Sequence, residues 1–181
     1  RIKKADGSIA ILMDAPKQPD GPPVRDGKPY SQIAHLAEDV RPFVAIAVAL
    51  RARGSSAPEI YAQDLGRGLL LIEDFGDRVF GREVSVGQEQ LALWRRGVDV
   101  LVELRNTPPP SAMPLPDGST YALPLMDQGG LQIEVELLLD WYWPALHGVA
   151  VPEAARTDFV RHWRSAFNRI DAAPKGWALR D

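Results

Sequence analysis

A chain of 181 residues that is 45% hydrophobic and 25% charged has the composition of a globular protein, with room for one ordinary domain or two small lobes. Its net charge of -3 supplies no strong field of either sign, which argues against nucleic acid and an anionic membrane surface as partners. The absence of cysteine excludes disulfides, thiolate metal sites and cysteine nucleophiles together, and makes a cytoplasmic location the expectation.

His35, His147 and His162 lack metal-ligand spacing, and no apolar run reaches the roughly 18 residues that span a bilayer. Arg1 enters strand-like sequence with no initiator Met, and Asp181 follows directly on an apolar run, so the chain reads as a piece of something longer. Asp6-Gly7, between Ile2–Ala5 and Ser8–Met13, predicts an opening antiparallel hairpin. From Asp14 to about Ala37 the sequence turns to Pro, Gly and charge and reads as a long loop, with one short helical turn over Ser31–Leu36. Asp39 and Pro42 suit the start of a helix, which carries Phe43, Ile46, Ala47 and Leu50 on one face and ends at Gly54. Pro58–Ala62 reads as a strand and Leu65–Gly68 as a tight turn. Leu69–Ile72 follows as an antiparallel strand whose unbroken apolar run predicts burial on both faces, leading into Glu73-Asp74-Phe75-Gly76-Asp77.

Beyond Asp77 the periodicity becomes helical. Gln88–Arg105 places Leu91, Trp94, Val98, Leu101 and Val102 on one face and stops at Pro108-Pro109-Pro110. Ser111–Gln128, with three further prolines, reads as an irregular connection. A second helix, Leu131–Leu146, has the stripe Leu131, Val135, Leu138, Leu139 and Tyr142. A third, from about Pro152, aligns Phe159, Trp163, Ala166 and Ile170. There is no internal repeat, which argues against a solenoid. The class is therefore α+β: a sheet-rich lobe over 1–74 and a helical lobe over 75–181, both partial.

A small sheet with one helix, joined by a single crossing to a helical lobe, is a layout that can hold a nucleotide, because an extended crossing offers both N–H and C=O to an adenine edge. Ile9–Pro16, Glu38–Phe43, Leu69–Asp77, Leu139–Tyr142 and Leu179-Arg180-Asp181, in that order, resemble the aminoglycoside phosphotransferase and choline kinase superfamily. Within it the chain is most similar to bacterial anomeric kinases of N-acetylmuramate and N-acetylglucosamine. The resemblance implies a protein-kinase-like two-lobe fold, ATP with Mg²⁺, and transfer of a phosphoryl group to a small-molecule hydroxyl, most simply that of an amino sugar. It puts the catalytic aspartate on Asp181 and the nucleotide contacts on Ile11, Met13, Ile72, Glu73, Asp74, Phe75 and Asp77. Glu134, Asp140, Trp141 and Tyr142 supply carboxylates and aromatic faces suited to a sugar acceptor, the alternative being that Trp141 and Tyr142 are core at this spacing; the resemblance assigns no metal ligand.

Two departures accompany it. Met13 stands about where the family's strand lysine belongs, and no carboxylate lies between Arg41 and Arg53 to partner such a lysine. Losing both is physically easier than losing one, since a lone charge in a cleft is costly to desolvate. The alternatives are phosphate held by Lys17 or by other residues, or a catalytically impaired module that binds nucleotide or sugar. A third reading makes Pro19–Tyr30 a contact for a partner protein.

Overall fold

The computed structural model describes residues 1–85, 87 and 89–178. Within these the chain is a mixed α+β protein made of two compact units. The first comprises residues 1–18 and 39–123 with the described residues from Gly176 onward; the second comprises residues 19–38 and 124–175.

The first unit is built on a four-stranded antiparallel sheet in the order β1 (Ile2–Lys3), β2 (Ile9–Asp14), β6 (Leu69–Glu73), β5 (Ile60–Asp64). Strands β1 (Ile2–Lys3) and β2 (Ile9–Asp14) form the expected hairpin, with Ile2 opposite Ala10. Its turn closes through Gly7 N–H donating to Lys4 O at 3.0 Å, with Gly7 at φ +84°. The Asp6 carboxylate accepts from both the N–H and the hydroxyl of Ser8. The pairing is that of a type I turn followed by a left-handed glycine.

Strands β5 (Ile60–Asp64) and β6 (Leu69–Glu73) complete the sheet, and β6 lies between β2 and β5. β5 starts two residues later than expected, and the register shifts between Ile60 and Ala62. On β6 only Leu70 and Ile72 are buried, while Leu69, Leu71 and Glu73 are intermediate. The expectation of burial on both faces is thus corrected: the unbroken apolar run occupies a strand with one core face and one half-open face.

Over the core face lies α2 (Arg41–Arg51). Asp39 accepts the Arg41 N–H at 2.8 Å, and Pro42 occupies the first turn, where its missing N–H has no helical partner to lose. The buried set on this helix is Val44, Ala45, Ala47 and Ala49; Phe43 and Ile46, expected to be central, are only partly buried beside it. Short side chains here let the helix approach the sheet closely. Val40, Val44, Ala45, Ala49, Leu70, Ile72, Met113 and Leu115 form one cluster. Met113 and Leu115 come from a small hairpin, β7 (Met113–Pro114) with β8 (Thr120–Tyr121), in the segment expected to be irregular. Its Asp117-Gly118-Ser119 turn repeats the chemistry of Asp6-Gly7-Ser8: Asp117 accepts from the Ser119 N–H and hydroxyl, and Gly118 has φ +83°.

The unit also contains α3 (Phe80–Ser85) and α4 (Gln90–Asn106). α3 was not foreseen, and α4 begins two residues later than expected. Trp177 Nε1 donates to Thr107 O at 2.8 Å, fixing the end of α4. The whole expected apolar stripe of α4, from Leu91 to Val102, is exposed, with Trp94 at 59% and stacked on Phe80.

The second unit contains β3 (Pro23–Arg25), β4 (Lys28–Pro29) and α1 (Tyr30–Ile33), so the supposed long loop is an ordered hairpin and a helical turn. Asp26 and Gly27 both have positive φ, 49° and 73°, as a two-residue hairpin turn requires. These elements are clipped to α5 (Gln128–Leu137) by polar side chains. Arg25 pairs with the buried Glu136, Gln132 donates to the same carboxylate at 2.7 Å, and the Tyr30 hydroxyl donates to Glu134 at 2.7 Å. The buried residues of α5 are therefore Gly130, Gln132, Ile133 and Glu136, on a different face from the stripe that apolar spacing suggested.

Residues 138–142 continue α5 as a π-helical turn, and α6 (Trp143–His147) follows. Pro144 explains the widening, since it has no N–H to donate and its ring would clash with the carbonyl of Asp140 in a regular α-helix. α7 (Glu153–Ile170) completes the unit and buries Phe167.

Asp127 caps α5, accepting the Gly130 N–H at 2.8 Å. That bond, followed by nearby His35, holds its carboxyl below the usual range. We expect Asp127→Ala to lower stability by about 1 kcal/mol at neutral pH. Because the folded value is depressed, the contribution is complete above the ordinary carboxylate range and disappears as pH falls through the lowered value. Equal thermal midpoints for the two proteins at neutral pH would remove Asp127 from this role.

Candidate nucleotide and acceptor residues

The residues expected to meet a nucleotide lie on β2, β6 and the segment after β6, all within the first unit. The antiparallel ladder places Ile11 opposite Ile72 and Met13 opposite Leu70. Directly opposed residues share a face, so Ile11, Met13, Leu70 and Ile72 form one apolar surface on the side of α2. Ile11 and Met13 are only partly buried against the core cluster, which leaves them surface to offer. Met13 is thus packed beside a helix that carries no carboxylate, and its surroundings on this face are apolar.

Glu73 ends β6. Its N–H donates to Glu59 O at 2.8 Å, and its carboxylate accepts the Glu59 N–H at 3.1 Å and lies 3.7 Å from Arg51. Asp74 and Asp77 are held differently. Both carboxylates turn onto the guanidinium of Arg1, Asp74 through Nε at 2.5 Å and Nη2 at 2.9 Å, Asp77 through Nη1 at 3.0 Å and Nη2 at 3.1 Å. Asp74 also accepts the Gly76 N–H at 2.8 Å. The Arg1 hydrogen bonds hold both carboxyls below their ordinary range, and the two carboxylates raise the Arg1 guanidinium in return. Phe75, between them, is 55% exposed. The ladder thus brings together Ile11, Met13 and Ile72, and Arg1 brings together Asp74 and Asp77.

Asp140, Trp141 and Tyr142 lie in the second unit, on the π-helical turn. Asp140 accepts from Arg156 of α7 at 2.5 Å. Trp141 and Tyr142 are 74% and 62% exposed, so their spacing does not mark core positions. Trp141 and Tyr142 each expose an aromatic ring to solvent, and the Asp140 carboxylate is held by Arg156. Asp181, with Leu179 and Arg180, lies outside the described residues. Among the described residues no group of three or more His, Asp or Glu side chains could hold a metal ion, and no helix is long and apolar enough to cross a membrane. Sequence reasoning missed Arg1, Arg51 and Arg156 as partners of these acids. Their separations run from 16 to 76 residues, so no local signal could have found them.

The chain is 32% identical over 154 residues to an N-acetylmuramate/N-acetylglucosamine kinase of Caulobacter vibrioides, covering 84% of this chain and 42% of that protein. It is 29% identical over 175 residues to a protein of the same name from Pseudomonas putida, covering 97% and 43%. A third, from Pseudomonas aeruginosa, is 31% identical over 105 residues, covering 58% and 28%. The matched stretches span less than half the length of these relatives. The family model for phosphotransferase enzymes matches residues 24–180. The chain belongs to the phosphotransferase enzyme family.

Proposed function

We propose that this chain is the nucleotide-binding and acceptor-contacting part of an ATP-dependent kinase that phosphorylates a hydroxyl of an amino sugar in the cytoplasm. The observation that carries the reading is the family match over 24–180, together with relatives that are N-acetylmuramate/N-acetylglucosamine kinases. In this reading the fold is the two-lobed, protein-kinase-like one, with a nucleotide lobe over 1–74 and a helical lobe over 75–181.

Ile11 and Met13 give adenine an apolar surface, backed by the buried Ile72. Glu73 closes the strand, and because its N–H is already donated to Glu59, backbone pairing with the base edge falls to Asp74 and Phe75. Asp77 shapes the segment beneath the ribose. Asp140, Trp141 and Tyr142 receive the sugar, and Asp181 orients the attacking hydroxyl. Mg²⁺ is the expected counter-ion of the triphosphate, and the described residues offer no cluster of three or more ligands for it.

The test is acceptor-dependent release of ADP by the complete protein with ATP, Mg²⁺ and either N-acetylglucosamine or N-acetylmuramate. In the same assay Trp141→Ala should raise the acceptor KM about tenfold, leaving the ATP KM unchanged. An unchanged acceptor KM would remove Trp141 from the acceptor contacts. No ADP release with either sugar, despite measurable ATP binding, would favour the second reading, a binding module that has lost phosphoryl transfer. That reading draws on one observation, the apolar Met13 with no carboxylate on α2.

A further inference from the structure

We propose that Arg1 is a positioning residue for nucleotide binding, fixing residues 74–77 and with them the backbone of Asp74 and Phe75. The inference rests on the nucleotide reading above and adds a residue 73 positions away from its first partner.

A planar guanidinium can meet two carboxylates at once, because its donors form a rigid fork. Arg1 does so here: three of its nitrogens make four contacts of 2.5 to 3.1 Å to Asp74 and Asp77. The two acids are three residues apart in a segment that also contains Gly76 at φ +77°. Asp74 spends one oxygen on both Arg1 and the Gly76 N–H, so the cation and the turn are fastened at the same atom. An exposed ion pair adds little to stability by itself. The consequence proposed is conformational: with Arg1 in place, four residues that follow a sheet strand are held in one shape.

Lysine could not substitute fully, since an ammonium cannot span both acids with paired, parallel hydrogen bonds.

The experiment uses the complete protein, measuring ATP affinity by titration calorimetry, and kcat with both KM values for N-acetylglucosamine phosphorylation. Arg1→Gln should raise the ATP Kd and KM about five- to tenfold, with acceptor KM and saturating kcat within about twofold of wild type. Arg1→Lys should fall between. Asp77→Asn should weaken ATP binding less than Arg1→Gln, and the double variant should be no worse than Arg1→Gln alone, since both act on one contact set. ATP affinity within twofold of wild type in Arg1→Gln, or an equal rise in both KM values, overturns the role. If Arg1→Gln does not fold, Asp77→Asn decides it, and unchanged ATP affinity there also overturns it. A wild-type protein that binds no ATP would instead sink the nucleotide reading and this role with it, whereas equal binding by wild type and Arg1→Gln sinks only the role of Arg1.

Discussion

Gly68→Ala is expected to lower the stability of the protein by about 2–5 kcal/mol, the largest effect at any of its glycines. Gly68 precedes β6 with φ +73°, where an L side chain meets its own backbone, at a cost of about 1–2 kcal/mol. A Cβ at this position would also sit 2.4 Å from Ala15 O, 2.6 Å from Pro16 Cα and 2.7 Å from Ala15 C. Those are main-chain atoms, so the clash cannot be relieved by turning a side chain, and overpacking of this kind adds about 1–3 kcal/mol. The close approach is structural: the Ala15 N–H donates to Gly68 O at 2.9 Å, which extends the β2–β6 ladder past its last paired residues. Urea unfolding followed by circular dichroism would measure the change. Gly66→Ala is the control, since its Cβ would meet only the Asp64 carboxylate at an ordinary 3.6 Å. Equal midpoints for the two variants would show that the β2–β6 junction can yield, against the geometry described.

The same junction shows what the sequence could and could not tell. Gly68 was legible as part of a turn, because glycine before an apolar run is a local signal. Its contact with Ala15 was not, since that depends on the pairing partner. Asp-Gly pairs were the most reliable guide. Asp6-Gly7 marks a hairpin in the sequence; Asp26-Gly27 and Asp117-Gly118 carry the same signal but are harder to read, because short strands containing proline flank them. Helix positions were legible from spacing, but faces were less so. α5 turns Gln132 and Glu136 inward because Arg25 and Gln132 satisfy the Glu136 carboxylate, and no apolar periodicity encodes that. Trp141 and Tyr142 fall at spacings that suit a core, yet the π-turn imposed by Pro144 displays them. In the candidate nucleotide site, the strand residues were readable because their order along the chain is a motif. The cation that meets Asp74 and Asp77 was not, because it arrives through the fold.

Asp181→Asn in the complete protein is expected to reduce phosphoryl transfer about 10³-fold or more while ATP binding stays within about twofold. The substitution keeps the size of the side chain and removes its charge and its capacity to accept a proton. Phosphoryl transfer depends chiefly on positioning and charge, so the residue that orients the acceptor hydroxyl is felt in kcat, not in affinity for the donor. The donor contacts proposed here come from β2 and from 72–77, more than a hundred positions earlier in the chain, and they involve backbone and apolar groups that Asp181 does not supply. Binding and transfer should therefore separate cleanly. A further consequence bears on Met13. If the protein transfers phosphate without a strand lysine, the variant Met13→Lys should not help, because the ammonium would enter an apolar surface with no carboxylate on α2 to receive it. Turnover of Asp181→Asn within tenfold of wild type would take the hydroxyl-orienting role away from Asp181, and the base would then have to be sought elsewhere in the chain.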